Sequence, residues 1–374
     1  MGRTCIRVAW DNSLAGRNRT GTGVYASELV EKLAARTDIQ LHVFTGYNVG
    51  RQGEGLFALA VRGLAGLCWS NLSFPHLLKK GRFDLLHSPA FVLPLRCPCP
   101  TVVTIHDLTF RFFPEHFDRR WQVYLNGIMP SVLRSTSAVI CPSEYTRIDL
   151  LRGYDVAPNK VHVVHNGVEH ERFHPGARLG NDWARQLGIR AGYLLHVGAL
   201  SERKNIPTLL RAVGRLRAES FWGDRQLVLA GAEVPRMQGA ARIHELIRAL
   251  ELDGNVILAG HVPNEEVPGL YANASMLVMP SFYEGFGLPI LESMASGTPV
   301  IASNTSSLPE VAGQAAILFP PNDHILLASA IADLLKNRTL AEELRRKGLV
   351  RASQFSWERT AEETVSVYRR IANS

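Results

Sequence analysis

Apolar and polar positions alternate along this chain in two recurring ways. Short runs rich in β-branched and aliphatic residues read as buried strands: Ile6 to Trp10, Leu41 to Phe44, Asp84 to His87, Thr101 to Ile105, Ala138 to Cys141 and Val161 to Val164. Between them lie stretches with a helical period, such as Val24 to Ala35, whose Val24, Leu29, Val30, Leu33 and Ala34 make one buried side. The alternation starts afresh at Tyr193 to Gly198 and continues through Gln226 to Gly231, Val256 to Gly260, Met276 to Met279 and Pro299 to Ser303. Helical segments at 208–216, 267–274 and 289–296 separate these runs, and from Asp323 the chain is mainly helical. Strands alternating with helices predict an α/β fold with doubly wound parallel sheets. The second start predicts a second domain.

One stretch combines several signals. The strand Met276–Met279 ends at Pro280, a loop punctuated by Gly285 and Gly287 follows, and a short helix opens at Pro289 and stops before Gly297. Glu284 stands at the carboxyl end of the strand, where open α/β sheets bind ligands. The N–H groups of Phe286, Gly287 and Leu288 sit near the helix start and suit phosphate oxygens. Leu291, Met294 and Ala295 share a helical stripe, and Glu292 lies off it, free to face a crevice. An isolated glutamate pair is more often a loop charge and a solvated helix residue. Here the spacing, the intervening Gly-Phe-Gly-Leu-Pro and the position after a strand favour a sugar-nucleotide site.

Composition narrows the classes. The 374 residues suit two domains of ordinary size, and 46% hydrophobic with 20% charged residues is globular. The formal net charge of +7 favours acidic partners such as nucleotide diphosphates or lipid phosphates. Basic residues occur in small groups, at Arg17/Arg19, Lys79/Lys80/Arg82, Arg119/Arg120 and Arg345/Arg346/Lys347, without an aromatic-interleaved stripe, so nucleic acid is not expected. Five dispersed cysteines argue for a reducing compartment, and Cys97-Pro98-Cys99 has no second half-site at zinc spacing, so a surface loop is expected there. The start of the chain has no signal-peptide core, and the longest apolar segment, Leu56–Trp69, is too short and broken to span a bilayer. A cytoplasmic protein is expected. Leu56–Trp69 and Lys79/Lys80/Arg82 could rest on an anionic membrane, or form an amphipathic core helix with a solvated charge cluster.

Other strand ends carry candidate chemistry. Gly21-Thr22-Gly23-Val24-Tyr25-Ala26 formally fits a dinucleotide fingerprint, but the glycines do not follow the first strand in a tight turn, and the second strand ends without a ribose-binding acid. A nicotinamide-dependent dehydrogenase is therefore a remote alternative. The glycines read as a loop ahead of a helix or as an ordinary turn. His106-Asp107 at a strand end could be a dyad, a metal pair or a histidine satisfied by its neighbours, and two ligands do not close a metal site. Ser143 reads as a helix cap. Arg203 and Lys204, after the strand ending at Gly198, could clamp a diphosphate, Arg as a fork and Lys as a point charge, although such a pair is often a solvated loop.

Glu284 and Glu292, with seven residues between them, resemble the Glu-x7-Glu signature of family-4 retaining glycosyltransferases. The likeness extends from the Gly21 loop through His106 and the Gly-x4-Arg-Lys-Asn run from Gly198 to Trp357. It implies the GT-B fold: an acceptor-side Rossmann-like domain over 1–178, with His174–Asp182 as linker, a nucleotide-sugar donor domain over 179–355, and a terminal helix over 356–374 crossing back to the first domain. It implies donor-binding roles for Gly21, Gly23, Gly198, Gly285, Phe286, Gly287, Leu288, Glu284 and Glu292, and a base contact through the Val262 backbone. His106, Arg203, Lys204 and Glu284 become the catalytic set, and Asp107 and Asn166 fall on the acceptor side. No metal or other cofactor is expected, because Arg203, Lys204 and helix N-termini can neutralise the diphosphate. Thr104-Ile105-His106-Asp107-Leu108 looks most like bacterial mannosyltransferases of surface polysaccharide assembly. The expected donor is GDP-mannose, with UDP-glucose or UDP-N-acetylglucosamine as alternatives, and the expected acceptor is a saccharide or polyprenyl-linked oligosaccharide.

Overall fold

The computed structural model describes residues 5–13, 21–46, 69–94, 96–116, 119–232 and 240–372. The Arg17/Arg19 pair and the apolar segment before Trp69 lie outside them. Two compact units emerge: residues 1–111, 120–166 and 357–374 form the first, and residues 112–119 and 167–356 form the second. The second begins at Gly167 because Val168 and Phe173 are buried in its core.

The first unit holds a six-stranded sheet of β1 (Ile6–Asp11), β2 (Ile39–Phe44), β3 (Leu85–Ser88), β4 (Thr101–Thr104), β5 (Ala138–Cys141) and β6 (Val161–Val163). Their order is β2-β1-β3-β4-β5-β6, and every pair is parallel. All residues of β3, β4 and β5 are buried, the mark of strands covered on both faces. Ser143 caps the helix Glu144–Gly153, its Oγ accepting from Thr146 N at 3.0 Å. The 17-residue helix Arg119–Ser135 was not visible in the pattern, because Pro130 interrupts it.

The last helix, Trp357–Ala372, completes this unit. It buries Trp357, Ala361, Thr364, Val365 and Tyr368 along one side, against the helix Gly21–Ala34 and strands β1, β3 and β5. Tyr368 meets His87 of β3, which also bonds Thr104 Oγ1, and Thr104 bonds Tyr25 OH at 2.9 Å. Arg369 pairs with Asp38 at 2.6 Å, and Lys32 with Glu358 at 3.0 Å.

The second unit holds β7 (Tyr193–Val197), β8 (Leu227–Ala230), β9 (Val256–Gly260), β10 (Ala274–Met279), β11 (Val300–Ser303) and β12 (Ala316–Phe319). Their order is β12-β11-β10-β7-β8-β9, again parallel throughout. Strand β12 went unpredicted; its four residues are less completely buried than those of β11. Alternation along each strand divides the core between the two faces. Leu195, Leu277 and Met279 join one cluster, while Leu194, Met276 and Val278 join the other. The order reverses between β7 and β10. Their carboxyl ends therefore open the crevice where doubly wound sheets bind ligands.

Candidate active site

The turn after β7 and the loop after β10 are clipped together at that crevice. Arg203 and Lys204 lie on a short 3-10 turn, Glu202–Lys204, between β7 and the helix Ile206–Ala218. Phe282 N donates to Arg203 O at 2.9 Å, and Arg203 Nη1 donates to Tyr283 O. Asn205, left-handed at φ 54°, ties the turn down with Nδ2 bonds to Pro280 O and Pro321 O. Sequence reasoning gave Asn205 no role of its own, because both acceptors lie far along the chain.

Glu284 is the hub of an ion cluster. Its Oε2 accepts from Arg203 Nη1 at 2.8 Å, and its Oε1 from Lys204 Nζ at 2.6 Å and Ser281 Oγ at 2.7 Å. Burial alone would raise this carboxyl, but the Arg203 and Lys204 charges and the Lys204 and Ser281 hydrogen bonds outweigh it and hold it well below the carboxylate range. Glu284 thus stays ionised and fixes both cations. Lys204 reaches it by lying along Gly198: a Cβ there would stand 3.0 Å from Lys204 Cε and 3.1 Å from Nζ. The φ of 148° at Gly198 also favours glycine.

Serines buttress the loop. Glu284 N donates to Ser306 Oγ, and Ser307 Oγ donates to the carbonyls of Glu284 and Phe286. None of these serines was singled out in the sequence; a serine twenty residues downstream carries no local signal. Gly287, at φ 111°, turns the chain into the helix Leu288–Ala295, whose first-turn amides follow Gly285 and Phe286. Glu292 lies off the buried stripe as expected, half-buried, and accepts from Tyr271 OH at 2.7 Å. Burial raises its carboxyl, against the lowering effects of the Tyr271 bond and Arg172. Val262 follows β9, its side chain resting on the same core. A separate cavity of about 270 Å³ lies beside the turn, lined in part by Ser201, Asn205, Thr208, Arg211 and Phe282, without Glu284 or Glu292.

The remaining candidates belong to the first unit. His106 Nε2 donates to Pro89 O at 2.8 Å, and its ring stands edge-on to Tyr25 at 4.9 Å. Burial lowers its pKa, so the ring is neutral, with Nδ1 as its acceptor. Asp107 Oδ1 accepts from Thr109 N at 3.0 Å and starts the short helix Thr109–Phe112. Asn166 is buried, with no partner for Oδ1 among the described residues. Gly21 and Gly23 depart from expectation. They form the first turn of the helix Gly21–Ala34 rather than a loop ahead of it. Without side chains they add nothing to the apolar period, which becomes visible only at Val24.

Residues 19–172 match the family profile described as Glycosyltransferase Family 4, and residues 182–350 match Glycosyl transferases group 1. The chain is 30% identical to O-antigen chain mannosyltransferase B of Escherichia coli, over 94% of this chain and 96% of that protein. It is 29% identical to MMP alpha-(1->4)-mannosyltransferase of Mycolicibacterium hassiacum, over 90% of this chain and 80% of that protein. Among solved structures, sucrose-phosphate synthase from Thermosynechococcus elongatus shares the fold with a TM-score of 0.78 at 23% identity, covering 99% of this chain and 100% of that one. With two six-stranded parallel sheets and these relatives, the chain belongs to glycosyltransferase family 4 and has the GT-B fold.

Proposed function

We propose that this glycosyltransferase moves mannose from GDP-mannose to a hydroxyl of a saccharide or polyprenyl-linked saccharide, retaining the anomeric configuration and using no metal ion. The observation that carries the reading is the Arg203–Glu284–Lys204 cluster at the crevice between β7 and β10. Two cations held by one carboxylate leave a net positive charge where a diphosphate would lie, and the amides of Gly287 and Leu288 at the helix start would add donors. Glu284 would accept from sugar hydroxyls, Glu292 from the ribose, and the Val262 backbone would meet the base. In the first unit, Gly21 and Gly23 would meet the donor, neutral His106 its sugar, and Asp107 and Asn166 the acceptor. Both mannosyltransferase relatives support mannose as the transferred sugar.

In the proposed reaction, the bond between the anomeric carbon and the diphosphate oxygen breaks. The acceptor oxygen bonds to the same face, and its proton passes to the leaving phosphate. Arg203 and Lys204 stabilise the charge that develops on the diphosphate. The test is thermal unfolding with GDP-mannose, UDP-glucose or UDP-N-acetylglucosamine, with and without a chelator. At about a hundred times its dissociation constant, the true donor adds roughly 2.7 kcal/mol of stability. Stabilisation by GDP-mannose that survives chelation, followed by an α-linked product in proton NMR, is the expected result. A response to a UDP-sugar alone would replace the donor, and a β-linked product would end the retaining assignment.

A further inference from the structure

The connection from β3 to β4 carries Cys97-Pro98-Cys99, which the glycosyl-transfer chemistry leaves unused. The two sulfurs stand 3.7 Å apart, in hydrogen-bond contact. Both residues are partly exposed, whereas Cys141 is buried in β5. Pro98 locks its own φ and so limits how far the two side chains can diverge. Among the described residues, no three His, Cys, Asp or Glu side chains converge on a common point, so this pair is not half of a closed zinc site.

We propose that Cys97 and Cys99 form a reversible dithiol–disulfide site whose co-substrate is the disulfide of a small thiol. Bond formation requires the sulfurs to close from 3.7 Å by about 1.7 Å. The order of events follows from the protons. Either sulfur can donate in their contact, and the thiolate of one is stabilised by the thiol of the other. The ionised member of the pair is the attacking thiolate. It displaces one small thiolate from the external disulfide and becomes a mixed disulfide. That step removes the acceptor that held the second thiol's proton, and the second thiol then loses it and attacks the protein sulfur of the mixed disulfide. The second small thiol leaves. Two protein thiols are oxidised, one external disulfide is reduced to two thiols, and reduced thiol in excess reverses the exchange.

The experiment uses the reduced full-length chain in oxidised glutathione, quenched with acid, alkylated and digested with trypsin. The fragment 97–111 contains both cysteines and no third. It should be recovered unalkylated and two hydrogens lighter, and return to the alkylated form when reduced glutathione is restored. With Cys99→Ser, a glutathione adduct should accumulate on Cys97. With Cys97→Ser, the adduct should instead accumulate on Cys99, because either remaining thiol lacks the partner that would displace the glutathione. A wild-type fragment that stays doubly alkylated, carries two glutathiones, or is bridged to Cys5, Cys68 or Cys141 would overturn the proposal.

Discussion

Lys204 stabilises a departing diphosphate only if its ammonium is held where charge develops, and Glu284 and the bare face of Gly198 do the holding. Lys204→Ala is therefore expected to lower kcat by about 10²-fold while weakening donor binding far less. Gly198→Ala should reproduce part of this loss without touching a charge, because its methyl group would displace the Lys204 stem. Steady-state kinetics on both variants checks the pair. Equal losses in kcat and donor affinity would make Lys204 a binding residue only. The two glutamates were legible because strand, loop and helix lie within twenty residues. Arg203 was legible as a basic residue at a strand end, but its bond to Glu284 spans 81 positions. It exists only because β7 and β10 are neighbours, an adjacency that local periodicity does not encode.

At the scale of elements, the contact between the terminal helix and β3 runs through a buried histidine. His87 is fully buried between Tyr368 and Thr104, and burial, with nearby His106, pushes its pKa down to about 3 from an ordinary 6.5. His196, inside β7 with Nδ1 on Val278 O, is pushed down to about 4 by burial and Lys204. Both are neutral in the folded protein. As pH falls through about 6.5, the unfolded chain gains protons that the folded chain refuses. Stability is thus full above that pH and is lost progressively towards pH 3. Each histidine contributes at most about 1.4 kcal/mol per pH unit. Urea unfolding between pH 7 and 5 should show this decline, and His87→Gln should flatten it. An unchanged slope would mean that His87 already titrates normally in the fold. The histidine was visible in the sequence as the end of a strand, but its partner Tyr368 is 281 residues away.

Across the whole molecule, the repeated strand–helix pattern conveyed two doubly wound sheets, but not their strand orders. Those orders depend on which helices cover which face, as the division of Leu194 and Leu195 between two core clusters illustrates. The first unit is assembled from distant parts of the chain, and removing residues 357–374 would strip Trp357, Val365 and Tyr368 from its core. At about 1.5–3 kcal/mol for each large apolar side chain, that loss rivals the total stability of an ordinary domain, roughly 5–15 kcal/mol. Hydrogen exchange on the truncated chain should show β1, β3 and β5 losing protection while β7 to β12 keep theirs. Retained protection in β1, β3 and β5 would show that the terminal helix is dispensable.

The same interleaving sets a timetable during synthesis. Residues 167–356 must be made after the first sheet and before the helix that closes it, an interval of about 10–40 s at ordinary translation rates. Throughout that interval the nascent first unit carries His87, Tyr25 and the apolar face of β1 and β3 without their cover. Until residue 357 and beyond are made, that uncovered apolar surface is the part of the nascent chain open to aggregation.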